Sequence, residues 1–189
     1  MKKLSYLFIV FGIFCYLVSG YYIWLRNDAS RLAFNNYHYT KSAITTTNNP
    51  PQRIVIKDLQ IDLPLVPSTI HNNKWDTTND GASYLISSPI PGEDGNSIIY
   101  GHNWASLFGN LVSAKPGQEV LIAFADGSKK NFIIEYTSTV SPDQASILAS
   151  SKDKRITLYT CTGFLDSKRF VVVAKLADNP ASFATVTRP

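Results

Sequence analysis

A cysteine and an arginine at the facing ends of two predicted strands are the residues of this sequence best suited to chemistry. Cys161 ends the run Ile156–Cys161, in which apolar and polar residues alternate as they do in a strand. Residues 162–168 contain glycine, aspartate and serine, which predicts a loop. Arg169 begins a second strand-like run. If the two strands pair antiparallel, the Cα atoms of Cys161 and Arg169 lie roughly 5 Å apart.

The two-residue period of a strand puts both side chains on the less apolar faces of these runs. The sequence therefore predicts that the thiol and the guanidinium meet at the mouth of a hairpin, outside the core. A positive neighbour favours thiolate over thiol and can hold a developing oxyanion. The alternative is that Cys161 is a small buried hydrophobe, the usual state of a lone cysteine.

A histidine can supply the proton transfer that cysteine catalysis needs. His102 ends the predicted strand Ser97–His102, where it shares a face with Ile98 and Tyr100. Because imidazole titrates near pH ~6.5 and a thiol near ~8.5, a nearby histidine shifts part of the thiol to thiolate and can protonate a leaving amine. A single histidine is more often structural, so the prediction depends on its combination with the thiol and the guanidinium.

The elements that must position these groups are mostly strands. From Arg53 onward the chain shows about eight short strand patterns separated by turn signals, of which Asp126-Gly127 is the strongest. Such a pattern predicts an all-β domain, a closed or nearly closed eight-stranded β-barrel over residues 53–177. One or two short helices are expected, at Trp104–Leu111 and Ser141–Ser150, and a polar tail at 178–189.

The N-terminal part has a different composition. Leu4–Leu25 contains no charged residue and would span roughly 33 Å as a helix, enough for a bilayer core of about 30 Å. A cleaved signal peptide is the alternative, but the run exceeds the usual apolar length and no Ala-x-Ala site follows it. The sequence predicts a membrane anchor with a short cytoplasmic tail at 1–26, and a polar spacer at 27–52.

Charge and cysteine content exclude several classes of protein. The net charge is +4, without a basic run interleaved with aromatic residues, which argues against nucleic-acid binding. The two cysteines are Cys15, inside the apolar run, and Cys161, so no disulfide framework forms and the outer thiol is free to react. No compact acidic cluster for calcium lies near Ser141–Asp153, so no metal dependence is expected, although Asp143 and Asp153 leave a calcium site open as the alternative. No other cofactor is expected.

Two stretches resemble the signature of the sortase family. They are Thr-Leu-Tyr-Thr-Cys at 157–161, followed by Arg169 at the start of the next strand, and Pro-Gly-Glu-Asp-Gly-Asn-Ser-Ile-Ile-Tyr-Gly-His at 91–102. The resemblance runs from about Arg53 to Leu176 and includes the order of anchor, spacer and barrel. It implies a sortase-like barrel and a membrane-bound cysteine transpeptidase, possessing a thiol-protease step, that anchors proteins to the cell wall.

The family likeness also implies roles for individual residues. Cys161 would attack the threonine carbonyl of a Leu-Pro-x-Thr-Gly-like sorting signal and form a thioacyl enzyme. His102 would act as general acid and then base, and Arg169 would position the substrate and steady the oxyanion. The implied partners are secreted proteins with a C-terminal sorting signal and an amine from a cell-wall precursor or another protein. The implied location is the bacterial cell membrane, single-pass, with the catalytic domain extracellular.

The family groove runs beside the strands that end at the histidine and the cysteine. This implies substrate-binding roles for Tyr100, Tyr159 and Thr160, with ordinary strand packing as the alternative. The sequence has neither the Asp-Pro-aromatic lid nor the second membrane span of pilin-polymerising sortases, which favours anchoring of single proteins and class D or E. Gly163 stands where many relatives have proline, so a differently shaped loop is expected there.

Two rival functions remain at this point. An L,D-transpeptidase would also use a cysteine, but that family keeps His and Gly immediately before it, where this chain has Tyr159 and Thr160. An anchored, non-catalytic binding module on the same barrel would leave Cys161 inert. Thiol alkylation separates the catalytic from the inert cysteine.

Overall fold

The structure is a computed structural model that describes residues 2–26, 29–35, 37, 48–71 and 74–177. It contains helix α1 (Lys2–Arg26) and the strands β1 (Pro51–Ile56), β2 (Ile61–Ser68), β3 (Ile70–His71), β4 (Lys74–Trp75), β5 (Ala82–Leu85), β6 (Gly95–Tyr100), β7 (Glu119–Phe124), β8 (Lys129–Val140), β9 (Lys154–Thr162) and β10 (Lys168–Leu176). Short 3₁₀ helices cover Ala29–Leu32, Lys57–Leu59, Gly109–Ser113, Ala145–Leu148 and Phe164–Asp166. The predicted tail 178–189 lies outside the described residues.

Eight of the strands in the described part of the chain close into a barrel. Their order is β1-β2-β5-β6-β9-β10-β8-β7, and β7 pairs back onto β1. The pairs β2–β5 and β6–β9 are parallel, and the other neighbours are antiparallel. The predicted eight-stranded barrel is confirmed. The turn predicted at Asp126-Gly127 joins β7 to β8, and Gly127 takes the positive φ of +83° that such a turn needs.

The barrel interior holds one of two apolar clusters. Alternate residues of a strand point to the same face, so Ile156 and Leu158 of β9 and Val172 and Ala174 of β10 all lie in this inner cluster, without exposed surface. Each large side chain that is moved from water to such a site contributes about 1.5 to 3 kcal/mol. The apolar face that the sequence indicated for β10 therefore faces the barrel interior.

A second apolar cluster covers the outer face of β6, β9 and β10. We call it the outer cluster; its buried members are Leu32, Phe34, Trp75, Leu85, Ile98, Tyr100, Val140, Leu148, Tyr159, Cys161, Val171 and Val173. These strands are thus buried on both faces. The prediction that the Cys161 face lies outside the core was wrong, because residues before β1, together with β4, fold over that face.

The two predicted short helices form only as single 3₁₀ turns, at Gly109–Ser113 and Ala145–Leu148. Their backbone bonds run from residue i+3 to residue i, as from Leu111 N to Phe108 O (3.0 Å) and from Ala149 N to Ser146 O (3.0 Å). This pattern defines the tighter 3₁₀ helix and seldom extends beyond a few residues. The chain thus keeps little helix beyond α1 in its described part.

Helix α1 carries the apolar run. Its segment Tyr6–Trp24, of 19 residues and mean hydropathy 1.9, is long and apolar enough to cross a membrane, and its side chains are not buried against the rest of the protein. Length and composition are consistent with the predicted anchor, which stays a prediction.

Candidate active site

The β9–β10 hairpin places Cys161 directly opposite Arg169. The antiparallel register runs from Lys168 beside Thr162 to Lys175 beside Arg155. It confirms the pairing that the sequence predicted for the cysteine and the arginine. Because the hairpin lies between the two apolar clusters, both side chains are only 4% exposed.

The loop that closes this hairpin has an unusual backbone. Gly163 has φ +79° and ψ 178°, a region that is essentially restricted to glycine. Proline, whose φ is fixed near about −65°, cannot adopt it. The expected difference in loop shape from proline-containing relatives stays a prediction.

We expect Gly163→Ala to destabilise the protein and also to impair the site. A Cβ at this position would lie 3.1 Å from Ser167 Oγ and would force the strained backbone on alanine, at a cost of about 1 to 3 kcal/mol in the free energy of unfolding. Gly127→Ala is the matched control, because Gly127 also has positive φ but meets nothing within 4 Å. Denaturant unfolding should show a lower free energy of unfolding for both variants. The alkylation rate of Cys161 should change only in Gly163→Ala. An unchanged unfolding midpoint for Gly163→Ala would contradict the assignment.

His102 lies two residues beyond the end of β6, not within the strand. The prediction that it ends the strand Ser97–His102 was wrong, because the pairing with β9 stops at Tyr100 and the chain then turns. The turn is closed by a hydrogen bond from Phe108 N to the His102 carbonyl (3.1 Å). The imidazole is 5% exposed and stacks on Trp104, with centroids 4.7 Å apart and planes at 13°.

The structure brings His102 and Cys161 to the same cavity, which has a volume of about 600 Å³. Its lining also includes Arg31, Asn103, Trp104, Phe164, Leu165 and Asp166. Arg169 joins the two through its pairing with Cys161. The three predicted catalytic residues therefore lie around one site, although no short contact between the imidazole and the thiol is present among the hydrogen bonds of the described residues.

Residues 31–34, which we call the covering segment, lie across this site. Cys161 Sγ donates a hydrogen bond to the Arg31 carbonyl (3.1 Å), and Arg169 Nη2 donates one to the Ala33 carbonyl (3.0 Å). Leu32 has no exposed surface and Phe34 is 4% exposed. The segment thus satisfies polar groups of the site through its carbonyls and fills the outer cluster with its apolar side chains.

Sequence reasoning missed the covering segment because these residues lie in the predicted polar spacer. The signal present was weak: Leu32 and Phe34 are two residues apart, as on one face of an extended chain. The spacer boundary at residues 27–52 stays a prediction. His38, which the sequence predicts to be exposed to solvent, lies outside the described residues.

Arg169 uses its two guanidinium edges differently. Nη1 donates to the carbonyls of Asp166 and Lys168, both at 3.0 Å, and so fixes the hairpin loop. On the other edge, Nη2 donates to Ala33, and Nε is buried without a partner among the described residues. A buried donor left unpaired is costly, so Nε is suited to donate to a carbonyl or oxyanion oxygen of a substrate.

The protonation of the site follows from its burial. Burial raises the pKa of the Cys161 thiol to about 11, against the opposing effect of the Arg169 charge. Burial also lowers the pKa of His102, against the opposing effect of the Asp166 carboxylate. At neutral pH the covered site therefore holds a thiol and a neutral imidazole rather than an ion pair.

We expect the alkylation rate of Cys161 to rise about tenfold per pH unit between pH ~7 and ~9, because only the thiolate reacts and its pKa lies well above this range. Leu32→Ala should loosen the covering segment, return water to the sulfur and lower the apparent pKa. Iodoacetamide labelling in a Cys15→Ala background, followed by mass spectrometry, measures the alkylation rate against pH with and without Leu32→Ala. An alkylation rate of the parent that no longer rises with pH above pH ~7 would contradict the assignment of Cys161 as a covered, protonated thiol.

The predicted substrate-binding residues Tyr100, Tyr159 and Thr160 have no exposed surface, and none lines the cavity. Thr160 Oγ1 donates to the Gly101 carbonyl (2.8 Å), which fixes the backbone before His102. Tyr159 stacks on Tyr100 at 5.4 Å, in the outer cluster beneath the covering segment. Contact of the two tyrosines with a substrate requires displacement of that segment, whereas Thr160 shares the inner face of β9 with Ile156 and Leu158. The substrate-binding role of all three residues stays a prediction.

Comparisons with known proteins converge on one family. The family model described as Sortase domain matches residues 54–177. Sortase A of Listeria monocytogenes is 31% identical over 100 residues, which cover 51% of this chain and 44% of the relative, so the match spans less than half of that protein.

Two solved structures share the fold. Sortase C-1 from Actinomyces oris has a TM-score of 0.60 at 24% identity and covers 68% of this chain and 72% of its own. A lid mutant of Sortase A from Corynebacterium diphtheriae has a TM-score of 0.60 at 26% identity and covers 72% and 76%.

The residues matched by the family model include His102, Cys161 and Arg169 but not the covering segment. The groups that could do chemistry therefore lie in the part of the chain shared with these proteins. The residues that lie across them belong to the part before it.

Proposed function

This chain belongs to the sortase family, and from that premise we propose that it is a membrane-anchored cysteine transpeptidase that attaches secreted proteins to the cell surface. The observation that carries the proposal is the pairing of Cys161 with Arg169 on adjacent strands, at a cavity that His102 also lines. A nucleophile, a proton carrier and an oxyanion donor are the groups that acyl transfer needs.

In the first half-reaction, Cys161 Sγ attacks the threonine carbonyl of a Leu-Pro-x-Thr-Gly-like sorting signal. The thiol proton passes to neutral His102, and the unpaired Nε of Arg169 stabilises the oxyanion. When the Thr–Gly bond breaks, His102 returns the proton to the leaving glycine amine. The product is a thioacyl enzyme.

In the second half-reaction, an amine from a cell-wall precursor or another protein attacks the thioester while His102 accepts a proton. An amide forms, the carbon–sulfur bond breaks, and the thiol is regenerated. Water in place of the amine gives hydrolysis, the thiol-protease side of the same chemistry.

The order of an apolar N-terminal helix followed by a barrel domain supports the proposed location. The apolar helix α1 would hold the protein in the bacterial cell membrane as a single-pass protein, with the barrel on the outer side, where secreted substrates and cell-wall amines meet. The bonds from the covering segment to Cys161 and Arg169 imply that substrate entry requires this segment to move.

The function is tested by incubating the full-length protein in detergent with a quenched Leu-Pro-x-Thr-Gly peptide library and a small amine. We expect cleavage after threonine and a product that carries the amine. A folded protein that turns over no peptide, with Cys161 resistant to alkylation even at pH ~9, would support the non-catalytic binding module instead. Cleavage without amine incorporation would retain the protease step and remove the transpeptidase assignment.

A further inference from the structure

The cavity already contains a positive group from the protein itself. The guanidinium of Arg31 donates from Nη1 to Asp166 Oδ2 at 2.9 Å and from Nη2 to the Leu165 carbonyl. The two charged side chains are 16% and 23% exposed, so the pair is largely shielded from water. A carboxylate and a carbonyl that converge on one point form a site for a cation with several N–H donors.

The loop is shaped to present these two oxygens together. Leu165 and Asp166 have φ of +51° and +59°, a left-handed conformation that is uncommon for residues other than glycine. Such backbone persists where the surroundings hold it, and here Arg169 Nη1 donates to the Asp166 carbonyl at 3.0 Å. The arginine that faces Cys161 therefore also fixes the loop that carries the cation site.

The cation site is close to both reacting groups. Asp166 lines the same cavity as His102 and Cys161. Its negative charge acts on both, since it raises the pKa of the imidazole and of the thiol. A cation bound to Asp166 would thus lie beside the residues that carry the acyl group and the proton.

We propose that Asp166 and the Leu165 carbonyl form the subsite for the ammonium group of the amine acceptor, and that the Arg31 guanidinium occupies this subsite until the acceptor displaces it. The inference rests on the proposed transpeptidase function and adds the place where the second substrate binds. The ligand class is a primary ammonium, which can donate to both oxygens and still direct a third N–H toward His102.

The transfer of the acyl group to the bound ammonium needs only His102 and Cys161 as proton carriers. The bound ammonium gives one proton to neutral His102, and its freed electron pair attacks the thioester carbonyl. As the carbon–nitrogen bond forms, the carbon–sulfur bond breaks and its electrons remain on Cys161 Sγ. The second proton lost by nitrogen converts the thiolate to thiol, which leaves an amide, a thiol and a protonated imidazole that releases its proton to water.

The competing explanation is that the Arg31–Asp166 ion pair only holds the covering segment against the hairpin loop. The two explanations differ in whether the charge of the acceptor matters. If the pair only holds the segment in place, it affects access for every acceptor alike, whereas a cation subsite distinguishes an ammonium from an uncharged nucleophile.

The experiment uses the full-length protein with one donor peptide and two acceptors, glycinamide as the ammonium and hydroxylamine as the uncharged nucleophile at neutral pH. The KM of each acceptor is measured for the parent, Asp166→Asn, Asp166→Glu, Arg31→Gln and the Arg31→Gln/Asp166→Asn double variant. We expect Asp166→Asn to raise the ratio of the glycinamide KM to the hydroxylamine KM about tenfold or more, and Asp166→Glu to restore part of it.

Arg31→Gln should lower the glycinamide KM about three- to tenfold in the parent and have no such effect when Asp166 is asparagine, because the competition requires the carboxylate. Asp62→Asn is the matched control. It removes a carboxylate from the exposed ion pair with Arg53, outside the cavity, and should leave the ratio unchanged.

Equal changes in both KM values for Asp166→Asn, or an unchanged glycinamide KM for Arg31→Gln, would overturn the subsite. Intact-protein mass spectrometry of the thioacyl enzyme separates this failure from that of the proposed function. If the parent forms the thioacyl enzyme and the ratio does not move, only the subsite is wrong. If the parent forms none, the transpeptidase assignment and the subsite fall together.

Discussion

Replacement of Cys161 by alanine is expected to lower turnover of a sorting-signal peptide by at least about a thousandfold, because no other group in the described cavity can form a thioester. The thioacyl adduct should disappear from the intact-protein mass spectrum at the same time. Cys15→Ala is the matched control: it removes the other thiol of the chain, which is exposed on α1, and should leave both signals unchanged.

The loss of turnover in Cys161→Ala must be distinguished from a failure of the variant to fold. Cys161 is 4% exposed in the outer cluster, so alanine removes one packed sulfur and should cost about 1 kcal/mol of stability. Thermal unfolding of the variant should therefore show a cooperative transition slightly below that of the parent. A cooperatively folded Cys161→Ala protein that retained turnover or formed an acyl adduct would disprove the role of the thiol.

Arg169→Lys is expected to lower kcat by about a hundredfold or more while the donor KM changes much less. The guanidinium holds the carbonyls of Asp166 and Lys168 with one edge and offers the other edge to the site. An ammonium keeps the charge but lacks the planar fork, so it cannot serve both edges. Because the negative charge on oxygen develops only as the tetrahedral intermediate forms and is absent from the bound substrate, the loss should fall on kcat.

The matched control for this change is Arg155→Lys, near the start of the neighbouring strand β9. Arg155 also uses two guanidinium nitrogens, in a bidentate pair with Asp153 at 2.6 Å, but it lies outside the cavity. Its substitution should leave turnover within about twofold. Steady-state kinetics together with thermal unfolding measure both variants, and near-normal kcat in a folded Arg169→Lys protein would remove the oxyanion role.

The pairing of Cys161 with Arg169 was accessible from the sequence because it is local. Two strand-like runs separated by a short loop leave few antiparallel registers, and the period of two fixes which side chains share a face. The same reasoning recovered the apolar inner face of β10 and the eight strands of the barrel. It extended less well to His102, since a turn after Gly101, rather than strand periodicity, sets the direction of that side chain.

The sequence by itself thus determined the eight strands of the barrel and the identity of the three groups that could do chemistry, because periodicity and motif are properties of neighbouring residues, but it did not reveal the short pair β3–β4. Only the tertiary structure decided that the outer face of β9 is buried and that the covering segment lies on it. Arg31 and Asp166 are separated by 135 positions, and nothing in either local pattern selects the other. Such a contact arises from which apolar side chains fill the outer cluster, and packing of that kind is decided by the assembled fold rather than by any segment of the chain.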